Sequence, residues 1–200
     1  MIMATVVLTV TLAQEKRYEI ERAILKKMSN VEVASMKQVI SSTQYFDNYG
    51  VKASTESVIV MAGQTLNIIT IMKDGYMYTA NMTAKTGTKI NMENKMDAYN
   101  DVNYLNMTDE VKKKYQIEEK GNEQFLGKDC KRYGLTVQAM GQSLKIDVWV
   151  WKGLALKSTM TTTGGTITDE VTEIKEMAVI AKEKFDLPEG IEFKDMTPQK

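Results

Sequence analysis

The chain has 200 residues, enough for one domain whose core needs no staples, and its Lys plus Arg and Asp plus Glu are equal at 26 each. That balance, with only Arg17, Arg22 and Arg132 able to make bidentate phosphate or base contacts, argues against a nucleic-acid partner. Histidine is absent, which excludes Ser-His-Asp and Cys-His catalysis and every His-dependent metal site, and the lone Cys130 cannot form an intramolecular disulfide.

In chain order, Met1 to Leu12 is an uncharged, mostly apolar run too short to cross a bilayer as a helix. Small residues at Thr11 and Ala13 suit cleavage after Ala13, so residues 1–13 read as a signal peptide. No Lys or Arg precedes the run; either the start lies upstream or the free amino group supplies the charge. The competing reading is a buried first strand, because Val6, Leu8 and Val10 alternate with Thr5, Thr9 and Thr11. No later segment is apolar enough to span a membrane as a helix, so an exported, periplasmic domain is expected over residues 14–196.

Turn signals then decide the fold class. Gly50, Gly63, Gly75 and Gly87 recur at 12- to 13-residue spacing, and Gly141, Gly153 and Gly164 at 11 to 12. Asp74-Gly75 is the strongest hairpin signal among them. Strands punctuated at this interval indicate an antiparallel meander or half-open barrel. The expected strands are Tyr18 to Met28, Lys37 to Phe46, Val51 to Ala62, Thr65 to Lys73, a strand carrying Tyr76 and Tyr78, one from Leu144 to Trp151 and one starting at Leu154. The Thr-rich runs 159–163 and 166–172 also favour β structure.

One interruption, about 91–119, reads as a helical insert covering one face of the sheet. Thr108 followed by Asp109, Glu110 and then Lys112 to Lys114 has the cap and charge order of a short helix. Met92, Met96, Tyr99 and Asn103 fall at helical spacing, which suggests a second helix before it. Near the end, 179–185 is a short helix or loop, Leu187-Pro188-Glu189-Gly190 is a turn, and Ile191 and Phe193 belong to a last short strand. The tail 197–200 is expected to be disordered.

Motifs for chemistry are missing. No glycine-rich phosphate loop and no calcium loop occurs, so no cofactor and no metal is expected, and the chain is read as non-enzymatic. Asp147 shares a strand face with Trp149 and Trp151, a faint echo of a sugar site that one carboxylate cannot sustain. Cys130 reads as a small buried residue. Methionine, 15 of 200 residues, suits irregular apolar packing and sites that accept varied apolar ligands. The strand from Leu144 to Trp151 is aliphatic on one face and carries both indoles on the other, so both faces need cover: the insert, a partner or a ligand.

The segments Gln44-Tyr45-Phe46-Asp47-Asn48-Tyr49-Gly50, Phe125-Leu126-Gly127-Lys128-Asp129-Cys130, Trp149-Val150-Trp151-Lys152-Gly153-Leu154-Ala155-Leu156-Lys157 and Phe185-Asp186-Leu187-Pro188-Glu189-Gly190-Ile191 stand in the order of a family of Gram-negative envelope proteins of unassigned function. That family resembles the outer-membrane lipoprotein carriers and receptors of the LolA/LolB-like fold. The resemblance implies a half-open antiparallel barrel with an incomplete helical lid and an apolar cavity between them. It also implies a periplasmic protein, in association with the outer membrane or free, that binds or carries an apolar ligand such as a lipid or lipoprotein acyl chain. The alternative is an interaction module that docks another envelope protein without a small ligand. No carrier residue maps onto this chain; the expected cavity lining is Met72, Tyr76, Tyr78, Trp149 and Trp151.

Overall fold

The computed structural model describes residues 16–33, 36–61, 63–92, 102–139, 142–162 and 164–197. The expected signal peptide, 1–13, and the helix expected around Met96 and Tyr99 lie outside the described residues. The described residues form twelve strands in one open sheet. In chain order they are β1 (Ala23–Val33), β2 (Met36–Asp47), β3 (Lys52–Met61), β4 (Gln64–Lys73), β5 (Tyr76–Asn81), β6 (Thr86–Asn91), β7 (Glu118–Phe125), β8 (Lys128–Ala139), β9 (Gln142–Trp151), β10 (Leu154–Thr162), β11 (Gly165–Glu176) and β12 (Phe193–Asp195). Their order across the sheet is β12-β6-β5-β4-β3-β2-β1-β11-β10-β9-β8-β7. Every pairing is antiparallel except β12 with β6. This is the half-open meander that the turn spacing predicts.

Local chemistry explains most turns. Asp74 and Gly75 both take positive φ, as do Leu126 with Gly127 and Lys152 with Gly153, the conformation that matches the twist of a two-residue hairpin. Gly87 departs from expectation. It sits inside β6, opposite Ala80, and the real turn is Met82 to Lys85. There the Asn81 side chain accepts from the Thr83 and Ala84 amides at 3.0 and 2.9 Å, so an Asx turn does the work assigned to glycine.

The first strand starts five residues later than its expected Tyr18. Residues 16–22 form instead a strap across one end of the sheet: the Arg17 and Tyr18 amides donate to Tyr49 O, and the Glu19 amide donates to Lys152 O. Gly50 and Gly153 lie beneath it; a Cβ on Gly50 would be 2.5 Å from the Tyr18 ring, and one on Gly153 would be 2.6 Å from Arg17 O.

The insert holds one described helix, α1 (Asp109–Lys114). Its start is capped as expected, with the Val111 amide donating to Thr108 Oγ1 at 3.2 Å. Together with Val102, Tyr104, Met107 and Ile117, the insert packs on the aliphatic side of β8 and β9, against Tyr133, Leu135, Ile146, Val148 and Val150. It therefore covers the face opposite the two indoles of β9.

The second core gathers Ile20, Ala23, Leu25, Phe46, Cys130, Trp149, Leu154, Leu156 and Val171. Phe46 and Cys130 are fully buried, as expected for the cysteine. Burial of each large aliphatic or aromatic side chain here contributes about 1.5–3 kcal/mol. Two irregularities shape this core. β10 bulges between Ala155 and Lys157, β11 bulges opposite Lys26 and Lys27, and the β10–β11 ladder ends at Lys157↔Glu170. Bulges of this kind bend a strand and raise its twist, and past this point Leu154 and Leu156 join Trp149 to Leu25 and Phe46.

Residues 178–192 cross β3 and β4 through the 3-10 turn Lys182–Phe185, with Lys184 Nζ 2.6 Å from Glu56, and deliver β12 to the edge of β6. The expected disordered tail is held at its first residue: the Asn91 amide donates to Thr197 Oγ1 at 2.9 Å, and residues 198–200 lie outside the described residues.

Candidate functional site

Strand alternation sorts side chains onto two faces. The inner face, where Val148 and Tyr133 meet the insert, continues through Ser158, Asp169, Ser29 and Ile40, residues directly opposite one another across β9, β10, β11, β1 and β2. On this face a cavity of about 320 Å³ opens where β10 and β11 diverge. Tyr18 of the strap and Tyr104 of the insert border it, with Val148, Leu156 and Val171 as apolar wall and Lys27, Gln44, Ser158 and Asp169 as polar floor. A second hollow of about 410 Å³ lies under the insert between Tyr104, Met107, Ile117 and Tyr133, so Tyr104 is a wall common to both.

The floor is ordered by hydrogen bonds. Ser29 Oγ donates to one carboxylate oxygen of Asp169, and Ser158 Oγ donates to the other at 3.3 Å. These hydroxyls fix the carboxylate in place. Lys27 stands two residues along β1 from Ser29 and directly opposite Val171. Burial pushes its ammonium pKa down, with Asp169 acting in the opposite direction. Burial likewise pushes the Tyr18 hydroxyl up. Away from the floor the same face turns aliphatic: Ile40, Ile59 and Leu66 lie in one row across β2, β3 and β4, half-exposed, with Ile68 beside them and Val31, Ile167, Met160 and Ile146 in the row across β1, β11, β10 and β9. The arrangement is a polar floor at the inner end of an apolar trough.

The five residues expected from sequence do not meet in one place. Met72 is on the inner face, in the row Phe46, Ala53, Met72, Met77, Ile90. Tyr76 and Tyr78 are on the outer face, their ring centroids 6.1 Å apart, and Phe193 presents its edge to Tyr78 at 5.2 Å. Trp149 and Trp151 lie on the side of β9 away from Val148 and Val150. Trp149 is 7% exposed within the core, with the Arg132 guanidinium 4.8 Å and Lys157 Nζ 5.3 Å from its ring, while Lys128 Nζ stands 4.2 Å from the Trp151 ring. Those cations are held in turn by carboxylates: Arg132 by Asp147 at 3.0 Å, Lys157 by Glu170 at 2.7 Å and Lys128 by Glu176 at 2.8 Å. Asp147 also takes Lys120 at 2.6 Å, which reaches it over Gly134, where a Cβ would be 2.4 Å from the lysine chain. Cations and ion pairs thus cover the indole side.

The sequence reading missed Lys27, Asp169, Gln44 and Ser158. One lysine among many carries no local signal, and Ser29 and Asp169 are 140 residues apart. Only the β1–β11 register brings them together.

No protein-family model matches the sequence, and no curated protein matches it. Among solved structures, the chain is similar to an uncharacterized conserved protein from Thermus thermophilus, at 8% identity over 90% of this chain and 92% of that one, with a TM-score of 0.56. It also aligns with a chain of the MucA/MucB complex of Pseudomonas aeruginosa at 11% identity, TM-score 0.49, covering 84% of this chain and 56% of that one. A LolA-superfamily protein from Nitrosomonas europaea aligns at 9% identity, TM-score 0.44, over 86% of this chain and 93% of that one.

Proposed function

We propose that the protein is a non-enzymatic periplasmic holder or carrier of an apolar or amphipathic ligand, with an acyl chain lying along the inner face of the sheet. The observation that carries this reading is the continuity of the aliphatic rows with a cavity of about 320 Å³, a volume within the range of small-molecule pockets. Burial of the chain would drive binding, at about 0.8 kcal/mol per methylene. The half-open sheet supports the reading because its inner face is reachable without unfolding a strand. The apolar run over residues 1–13 supports export.

Native mass spectrometry with lipid extraction, on protein purified from its own periplasm without harsh detergent, is the test. An acylated species that co-purifies is the expected result. A clean apo mass, with no gain in Tm across fatty acids and lysolipids, would overturn the reading.

A second reading, docking of another envelope protein, rests on the outer face. Val39, Val58 and Val60 are 51%, 42% and 56% exposed there, and Met28 adds to them through Ser41, which pairs with both Met28 and Val58. A cluster of exposed apolar side chains marks an interaction surface more often than a scatter does. Val58→Glu with Val60→Lys should abolish partner capture if this face is used and leave lipid binding intact.

A further inference from the structure

From the floor of the cavity we infer that the ligand is an amphiphile with a single anionic headgroup, carboxylate or phosphate, which Lys27 receives at its ammonium. This inference rests on the reading of the protein as a holder of apolar ligands and names the chemistry of the end that goes in first.

Two cations among the described residues border the cavity, and they differ. Lys157 is committed to Glu170 at 2.7 Å. Lys27 has neither a hydrogen bond nor an ion pair within 4.0 Å among the described residues. An ammonium carries three donors and no acceptor, so Lys27 arrives in the cavity with its donor capacity unused. Lys27 is half-buried, and removing a cation partly from water is unfavourable unless a partner of opposite charge completes the site.

Asp169 is the anion already present, and both of its oxygens accept a hydroxyl, from Ser29 and from Ser158. Those bonds hold the carboxylate on the β11 side of the floor, and Glu170 is turned to Lys157 on the neighbouring position. Gln44 and Tyr18 also line the cavity but hydrogen-bond each other, so the open donors of Lys27 are what the floor offers an incoming acidic head. Above it Val148, Leu156 and Val171 supply the first apolar contacts for the chain that follows. A neutral lipid would leave the ammonium unpaired; an anionic one would satisfy it.

The experiment compares laurate with lauryl alcohol by calorimetric titration of the full chain, in wild type, Lys27→Met, Lys27→Arg and the outer-face control Lys26→Met. Charge-assisted hydrogen bonds to a partly dehydrated ammonium predict that wild type prefers laurate by roughly ten- to hundredfold. Lys27→Met should bring that ratio to about one with lauryl alcohol unaffected, Lys27→Arg should keep the preference, and Lys26→Met should behave as wild type. Each variant is compared at matched Tm, so that misfolding reads as loss of both ligands. Equal affinity of wild type for acid and alcohol, or a preference that survives Lys27→Met, would overturn the headgroup assignment while leaving the holder intact. Acetate binding as tightly as laurate would overturn it in favour of a free-anion site. Failure of wild type to bind either lauryl compound would overturn the holder reading itself.

Discussion

Gly87 and Phe193 face each other across the β6–β12 ladder, and the Phe193 ring fills the space a side chain on Gly87 would need. A Cβ there would lie 2.6 Å from the Phe193 ring and 2.8 Å from Ile191 Cγ2. The glycine is required by close approach rather than by its backbone conformation. Gly87→Val should therefore destabilise by about 1–3 kcal/mol, the usual cost of overpacking, and release the C-terminal strand. Urea denaturation reads the first effect. Limited proteolysis with carboxypeptidase reads the second, and an unchanged digestion rate would refute the account.

Asp147 gives a prediction in pH. Burial opposes its ionisation, yet hydrogen bonds and charge from Lys120 and Arg132 outweigh burial and hold its carboxyl below the usual range. The folded pKa is thus lower than the unfolded value of about 3.9. Stability from this group is complete above the unfolded pKa and is lost as pH falls through the folded one. Asp147→Asn should cost about 1 kcal/mol at pH 7, and its denaturation curve should converge on that of wild type in acid.

Cys130 provides a reporter of global opening. Its side chain is fully buried, and burial pushes the thiol pKa up. Native protein should react with a thiol reagent at least about a thousandfold more slowly than protein in urea, since exposure requires opening of the core. Above about pH 8.5 the unfolded thiol ionises while the folded one keeps its proton. Stability tied to Cys130 is therefore full below that pH and declines as pH rises through the folded pKa, a slope that Cys130→Ala should reduce.

Trp149 separates core from cavity. Trp149→Ala should lose about 3–5 kcal/mol of stability. Trp149→Phe should fold and bind laurate as wild type does, because Trp149 does not line the cavity and belongs to the core behind its wall residues Leu154 and Leu156. A tenfold loss of laurate affinity in a folded Trp149→Phe protein would place the ligand on the indole side instead.

How far the sequence was legible follows from the range of each signal. Asp74-Gly75 and Lys152-Gly153 announce their hairpins because a two-residue turn is a local object. Gly87 misleads for the opposite reason: its cause, Phe193, is more than a hundred residues away. Alternation along Leu144 to Trp151 correctly assigns the two faces of β9, but no pattern within that strand tells which face meets the insert. The candidate site is the extreme case. Lys27, Gln44, Ser158 and Asp169 come from four strands, each an ordinary polar residue in its own neighbourhood.

The order of the strands has a kinetic consequence. β1 and β11 are adjacent in the middle of the sheet, so the two halves of the chain are each wound outward by successive hairpins from a common seam. Each half can zip from nearby residues, but the seam must close a loop on the order of 140 residues. Seam closure should then be the slow step of folding, after both meanders have formed. A chain emerging N-terminus first displays the β1 edge and the Lys27 side of the trough unpaired until β11 arrives. A circular permutant that links the residues after β12 to the strap before β1 and opens the chain between β6 and β7 would shorten the seam loop to roughly a few dozen residues while keeping both segments. Its refolding should be faster than that of the natural order, at similar stability.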